Sequence, residues 1–145
     1  MKNGKAKISS KTLLIASQGG HLTELLKVFK NLDTSSAVVL SNLRGDRKNF
    51  GSEIDYEVII NPHTSGIKYI LSMFQAMRLW LRYRPELIVT TGAGLVIPYL
   101  VLARVFSVKV IYIESIARMG SMSRTAKFAN QIGFEVNYPS IKILK

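Results

Sequence analysis

The stretch Thr12–Leu26, TLLIASQGGHLTELL, most narrowly limits how this chain can fold. Its apolar run at residues 12–16 is too short for a buried helix and predicts a strand inside a parallel sheet. Gly19 and Gly20 follow, and glycines permit positive φ angles and let a ligand approach the backbone closely. Apolar residues then recur at helical spacing, so we expect a helix to begin near His21.

A strand, a glycine turn and a helix N-terminus in this order are typical of an anion site. Free backbone N–H groups and the positive end of the helix dipole face the turn, and the anion most often bound there is a phosphate. We therefore expect Gly19 and Gly20 to approach a phosphate, with His21 as a hydrogen-bond donor or an acid/base group. The alternatives are glycines that only pack the helix on its strand and a histidine that only caps the helix.

Short apolar runs alternate with helical patterns along the rest of the chain, which predicts an α/β fold with a doubly wound parallel sheet. We expect strands at 37–41, 56–60, 87–91, 109–113 and 134–136, and helices at 65–83, 96–106 and 123–131. The strand order 3-2-1-4-5 places a ligand crevice between strands 1 and 4. The length of 145 residues indicates a single domain, residues 12–145, after a basic N-terminal arm, residues 1–11.

Three loops converge on this crevice. Gly92 and Gly94 form a second glycine turn directly after a predicted strand. Glu114 follows the next strand, where it can orient a sugar hydroxyl, take part in catalysis or form a structural ion pair with Arg118. Arg118 and Ser123 supply donors for a phosphate or a carbohydrate, or they only shape their loop.

The charge of the chain is strongly positive. Twenty Lys and Arg residues against nine Asp and Glu residues give a net charge of +11. Such a field favours polyanions, which include nucleic acids, anionic lipid surfaces and phosphorylated substrates.

The predicted helix at 65–83 has two unlike sides. An apolar stripe is expected to face the core: Ile67, Ile70, Leu71, Phe74, Met77 and Leu81. Aromatic and basic residues are mixed on the other side: Lys68, Tyr69, Arg78, Trp80 and Arg82. This mixture suits a membrane interface or a partner surface, although a helix beside a sheet is also often buried over a broad arc.

Several classes of site are excluded. The chain has no cysteine, only two histidines and no cluster of carboxylates, so we expect neither a metal nor a thiolate nucleophile. The turn SQGGH is neither a dinucleotide-binding fingerprint nor a P-loop, so no cofactor is expected. The longest apolar run, residues 93–103, is shorter than the ~18–20 residues of a spanning helix.

Three segments in this order, SQGGHLTELL, RPELIVTTGAGLVIPYLVLAR and KVIYIESIARMGSMSRTAKFAN, resemble one protein family. It comprises the membrane-recruiting subunit of the two-component UDP-N-acetylglucosamine transferase of N-glycan assembly and its bacterial counterparts in capsule and exopolysaccharide synthesis. The resemblance implies a Rossmann-like domain equivalent to the N-terminal half of a GT-B glycosyltransferase. The donor-binding half is then a separate protein.

The resemblance also implies roles for the residues already singled out. The first glycine turn and His21 would face the lipid diphosphate of the acceptor, and the second glycine turn would lie beside it. Glu114-Ser115 with Arg118 match the family's E-S-x-x-R signature. Tyr138-Pro139 stands where the family usually has Trp-Pro, which is a departure near the end of the chain.

The expected function is that of a glycosyltransferase subunit, inactive alone, that binds a polyprenyl-diphosphate-linked acceptor and recruits a catalytic subunit using a UDP-sugar. Its expected location is peripheral, on the cytoplasmic face of the plasma membrane, with no nucleic acid as partner. The alternative is a basic nucleic-acid-binding module without a catalytic role. That module would need aromatics interleaved with basic residues on a strand-like surface, whereas here they lie on a predicted helix.

Overall fold

The computed structural model describes residues 12–17, 22, 25, 37–42, 55–62, 65–114 and 122–137. The strands are β1 (Thr12–Ala16), β2 (Ala37–Ser41), β3 (Asp55–Val58), β4 (Leu87–Gly92), β5 (Lys109–Ile113) and β6 (Val136–Asn137). The helices are α1 (Gly66–Tyr83), α2 (Ile97–Val105) and α3 (Arg124–Gln131), and a 3₁₀ turn over Gly94–Val96 precedes α2. The six strands form one sheet in the order β3-β2-β1-β4-β5-β6.

All pairings in this sheet are parallel, which confirms the predicted doubly wound topology. Thr12 of β1 lies opposite Ala37 of β2 on one side and Leu87 of β4 on the other. From β1 the chain adds strands first on one side of the sheet and then, from β4, on the other side. Sheets of this kind bind their ligands where this direction reverses, beyond the carboxyl ends of the strands. The predicted order is confirmed, with β6 added beside β5.

Element ends differ slightly from the sequence-based prediction. The strand predicted at 56–60 occupies 55–58, but the N–H of Ile59 still donates to the carbonyl of Ser41 at 2.9 Å. At the start of α3 the Ser123 hydroxyl accepts from the N–H of Ala126 at 3.1 Å, as a helix-capping serine does. Ser65, the residue before α1, makes no such side-chain bond.

The core lies on both faces of the sheet. Alternate residues of β1 point to opposite faces. Leu13 therefore belongs to the core cluster that includes residues of all three labelled helices, and Leu14 to the cluster that includes Leu22 and Leu25. Leu22 and Leu25 are helical and buried, in agreement with the helix predicted to begin near His21. The turn at Gly19, Gly20 and His21 itself lies outside the described residues.

The orientation of α1 is the main correction to the sequence-based prediction. The stripe expected in the core is exposed, from 37% for Met77 to 73% for Ile67. The face that packs on the sheet consists instead of Ser72, Ala76, Leu79, Trp80 and Tyr83. At about 100° per residue the two sets lie on opposite sides of the helix.

We call this exposed surface the apolar face: Ile67, Ile70, Leu71, Phe74, Met77 and Leu81. Val105 and Phe106, at the end of α2, are also exposed, and α1 and α2 pack against each other. Among the described residues no helix combines the length and the hydropathy that crossing a membrane requires.

A matched pair of substitutions tests the orientation of α1. Phe74→Glu should change the free energy of unfolding by less than about 0.5 kcal/mol, because Phe74 is 72% exposed. Ala76→Glu should lower it by more than about 3 kcal/mol, because Ala76 is fully buried and its site offers no room for a charge. Thermal unfolding followed by circular dichroism distinguishes the two. Equal destabilisation by both variants would show that the apolar face lies in the core.

Candidate functional site

The second glycine turn lies at the carboxyl end of β4, beside the switch point. Gly92 has a φ of +104°, and a Cβ built on it would overlap the hydroxyl of Tyr112. Only glycine therefore fits at this position. Outside its own turn, no atom of the described residues lies within 4 Å of the place of a Cβ at Gly94. The turn thus leaves room for a ligand to approach the backbone at Gly94.

Ala93, between these glycines, has a strained backbone. Its φ of 84° and ψ of 156° fall in a region that is otherwise almost restricted to glycine. Such a conformation costs on the order of 1–3 kcal/mol, and it persists only where the surrounding structure determines it. Strained turns of this kind are concentrated at binding and catalytic sites, so the geometry supports the prediction of a site at this turn.

Glu114 and Ser123, two of the predicted site residues, are in direct contact. One carboxylate oxygen of Glu114 accepts a hydrogen bond from the N–H of Ser123 at 2.9 Å, and Glu114 is only 1% exposed. Its own N–H donates to the carbonyl of Asn137 at 2.7 Å. Glu114 therefore connects the end of β5 to β6 and to Ser123, the residue before α3. Arg118 lies outside the described residues.

Tyr112 is a member of this site that sequence reasoning missed. Its buried hydroxyl lies against Gly92 and has no hydrogen bond of good geometry to a described residue. The pKa of Tyr112 is raised to about 12. Burial is the main cause, the neighbouring Ser123 side chain partly offsets it, and the charge of Glu114 adds to it. The phenol is therefore uncharged at neutral pH. It fills the space between Gly92 and Ser123, at the start of α3. No sequence signal separates it from an ordinary strand tyrosine.

Of the five residues predicted to face a membrane, the structure places four at the surface and one in the core. Lys68, Tyr69, Arg78 and Arg82 are all on the exposed sides of α1. Trp80 is not among them, because it is only 5% exposed.

Trp80 contributes to the core instead. Its ring stacks on Phe106 with the centroids 5.7 Å apart and the planes at 26°. Its position, four residues after Ala76 and three before Tyr83, places it on the face that packs on the sheet. The prediction for Trp80 was wrong because an aromatic residue next to basic residues in sequence can still point to the opposite side of a helix.

Arg82 has a partner within the chain. Its guanidinium lies 3.4 Å from a carboxylate oxygen of Glu57, to which the hydroxyl of Tyr83 also donates at 2.8 Å. The Arg82 side chain is 61% exposed, so this ion pair contributes little to stability. Its charge remains available at the surface.

A cavity of about 660 Å³, which we call the edge cavity, lies at the carboxyl ends of β2 and β3 against α1. Its lining residues are Asn42, Val58, Ile59, Ile60, Asn61, Lys68 and Gln75. Sequence reasoning did not assign it, because its residues come from three separate stretches of chain. In the ranges that the structure describes, no group of three or more His, Asp and Glu residues could hold a metal ion.

Comparisons with known proteins agree on one family. A family model described as "Oligosaccharide biosynthesis protein Alg14 like" matches residues 57–142. The mouse "UDP-N-acetylglucosamine transferase subunit ALG14" is 27% identical, with 92% of this chain and 78% of the mouse protein covered. The human protein of that name is 24% identical, with 90% of this chain and 76% of that protein covered. The protein of that name from Candida albicans is 24% identical, with 76% and 61% covered.

Solved structures show a shared fold. MurG from Acinetobacter baumannii superposes with a TM-score of 0.66 at 20% identity, covering 90% of this chain and 44% of MurG. A UDP-GlcNAc 2-epimerase from Methanocaldococcus jannaschii gives a TM-score of 0.63 at 15% identity, covering 92% and 40%. The chain therefore spans less than half of either protein.

Removing the carboxylate of Glu114 tests its contact with Ser123. Glu114→Ala should lower the free energy of unfolding by about 1–3 kcal/mol, because it leaves the N–H of Ser123 without its acceptor. Glu114→Gln should lower it by less, because the amide oxygen still accepts that bond. Glu135→Ala, at an exposed position, is the control and should stay within about 0.5 kcal/mol. Equal stabilities of the Glu114→Ala and Glu135→Ala variants in urea unfolding would show that the contact does not hold the loop.

Proposed function

The chain belongs to the Alg14-like family of oligosaccharide biosynthesis proteins, and on that premise we propose that it is the acceptor-binding subunit of a two-component glycosyltransferase. A separate subunit supplies the donor site for a UDP-sugar. The bound acceptor is a polyprenyl-diphosphate-linked sugar, and the product belongs to capsule or exopolysaccharide synthesis. The observation that carries the proposal is the family match across residues 57–142, which includes the Gly92–Gly94 turn and the contact between Glu114 and Ser123.

The division into two subunits is supported by the mouse and human relatives, whose names call them subunits of a UDP-N-acetylglucosamine transferase. The described strands form one parallel sheet. A sheet of this topology binds ligands at the carboxyl ends of its strands, where both glycine turns are expected. A second protein that covers this edge would complete a closed cleft between the acceptor and the donor.

The residues at this edge suit a diphosphate. The turn at Gly94 leaves the backbone accessible. Gly19 and Gly20 lie outside the described residues, and the sequence predicts that they offer N–H groups at a helix start. In sugar transfer an acceptor hydroxyl attacks the anomeric carbon of the donor, the bond between that carbon and UDP breaks so that UDP leaves, and the hydroxyl proton passes to a base. We assign His21 to binding the diphosphate or to accepting this proton, and Arg118 to the diphosphate. Glu114 positions Ser123 at the start of α3.

The apolar face of α1 supports docking on an anionic membrane. Six apolar side chains project from one side of an 18-residue helix whose first turn has no acidic residue. Lys68, Arg78 and Arg82 flank them, and this combination is typical of helices that lie in the membrane interface. Nucleic acid binding would not explain the face, because most of its side chains are aliphatic and offer no ring for a base to stack on.

Reconstitution tests the division of labour. We expect no transfer from a radiolabelled UDP-sugar to a polyprenyl-diphosphate-linked acceptor by this chain alone or by the co-purifying donor-binding subunit alone. Mixing the two should give turnover, because only the pair has both halves of the cleft. Substantial turnover by this chain alone would refute the proposal.

Vesicle binding tests the membrane surface. Replacing Lys68, Arg78 and Arg82 together by Gln should weaken binding to vesicles with 30% phosphatidylglycerol by roughly 100-fold, since each cation near the surface contributes about 1 kcal/mol. Phe74→Glu should also weaken it, because it places a charge in the apolar face. Co-sedimentation with the vesicles gives both values.

A control variant removes three positive charges from the surface outside α1. Lys109, Arg124 and Lys127 are exposed and lie outside α1, so replacing all three by Gln should weaken binding much less. An equal loss in both triple variants would mean that net charge alone drives binding and that α1 is not the docking surface.

A further inference from the structure

We propose that Tyr112 is a positioning residue for the reaction, whose hydroxyl holds the second glycine turn in the conformation that leaves the backbone at Gly94 open to a ligand. The inference deepens the proposed function, because it rests on that turn lying beside the acceptor during sugar transfer. Tyr112 acts through the turn and does not itself touch the ligand.

The register of the sheet places the Tyr112 side chain beneath the turn. Tyr112 lies opposite Thr90 in the pairing of β4 with β5, so the two side chains project to the same face of the sheet. The N–H of Gly92, two residues further on, donates to the Thr90 hydroxyl at 3.0 Å. The Tyr112 phenol reaches Gly92 as well, since a Cβ built there would overlap its hydroxyl and lie 3.2 Å from its Cζ. One hydroxyl therefore bonds the turn and the other fills the space beneath it.

The hydroxyl of Tyr112 adds little to the stability of the fold. It is fully buried and has no hydrogen bond of good geometry to any residue that the structure describes. The oxygen of the neighbouring Ser123 hydroxyl already accepts from the N–H of Ala126 at 3.1 Å. Burying a hydroxyl without a full partner is unfavourable, so phenylalanine would suit the core at least as well. A buried polar group without a structural benefit is typical of a functional site.

The strained backbone above this hydroxyl gives it a use. Ala93 has a φ of 84° and a ψ of 156°, a conformation that a residue with a Cβ leaves when it has room to do so. Without the phenol oxygen the turn could move towards the Tyr112 ring, and Ala93 could relax. The backbone of Gly94 would shift with it. An acceptor aligned for attack would then lose its geometry, and small misplacements of this kind are costly in catalysis.

Tyr112→Phe removes only the oxygen, and Tyr99→Phe is its matched control. Tyr99 is also a buried tyrosine whose hydroxyl lacks a good hydrogen bond to a described residue. Burial raises the pKa of Tyr99 and the charge of Glu57 adds to this, so its hydroxyl faces β3 rather than Gly92. Neither variant should lower the midpoint of thermal unfolding by more than about 2 °C, because neither loses a good hydrogen bond.

Hydrogen exchange of the chain alone, followed by NMR, tests the hold on the turn. In Tyr112→Phe the N–H of Gly92 should exchange at least about fivefold faster than in the unaltered chain, because the turn opens more often although the fold is no less stable. In Tyr99→Phe the same N–H should exchange at nearly its original rate. No greater change in Tyr112→Phe than in Tyr99→Phe would overturn the proposal. So would a fall of more than about 2 °C in the unfolding midpoint of Tyr112→Phe, since the hydroxyl would then be structural.

Kinetics of the reconstituted pair test the effect on the reaction. Tyr112→Phe should lower kcat/KM for the acceptor at least about tenfold and leave KM for the UDP-sugar nearly unchanged, because the other subunit binds the donor. Tyr99→Phe should leave both constants nearly unchanged. An unaltered kcat/KM for the acceptor, or an equal effect on KM for the donor, would contradict the positioning role.

The two measurements separate this inference from the proposed function. If the pair containing the unaltered chain gives no turnover, the proposed function fails and the role of Tyr112 in sugar transfer fails with it. The exchange rate of the Gly92 N–H would still decide whether the Tyr112 hydroxyl holds the turn. If the pair is active and only the Tyr112→Phe kinetics are unaltered, the proposed function stands and this inference alone is wrong.

Discussion

The structure depends on the parallel pairing of β1 with both β2 and β4. Every residue of β1 is buried, because a central parallel strand must be covered on both faces. Leu13 and Leu14 consequently anchor two separate clusters, one on each side of the sheet. The same pairing brings the carboxyl ends of β1 and β4 together, so the loops that follow them meet at one edge. The location of the candidate site thus follows from the pairing of β1, the central strand, with β2 and β4.

The sequence was sufficient to predict the sheet, because runs such as residues 12–16 and 87–91 have few alternatives to a buried strand. It could not reveal that Tyr112 fills the space beneath Gly92, or that Glu114 binds the N–H of Ser123. Both contacts join residues whose proximity is created only by the fold. The edge cavity was missed for the same reason, since β2, β3 and α1 each contribute a part of its wall.

The error at α1 has a different cause. Periodicity identifies which side of a helix is apolar, but not whether that side meets the protein core or another apolar environment. The face that packs on the sheet includes the small residues Ser72 and Ala76, which let the backbone approach closely, and then Trp80 and Tyr83, which fill the wider space. Both sides of α1 are therefore partly apolar.

The candidate site and the apolar face of α1 need different degrees of structural precision. At the candidate site, the strained backbone of Ala93 directly follows Gly92, against which Tyr112 packs. Such a site favours a ligand of one defined geometry, as a diphosphate held for sugar transfer must be. The apolar face needs no comparable precision, because burial of apolar area is not directional. The edge cavity lies beside α1, where the bonds of Gln75 to Ile60 and Val58 give it a fixed wall. Under the proposed function, the candidate site provides the defined geometry that the headgroup of a lipid-linked acceptor needs, and the apolar face provides only burial.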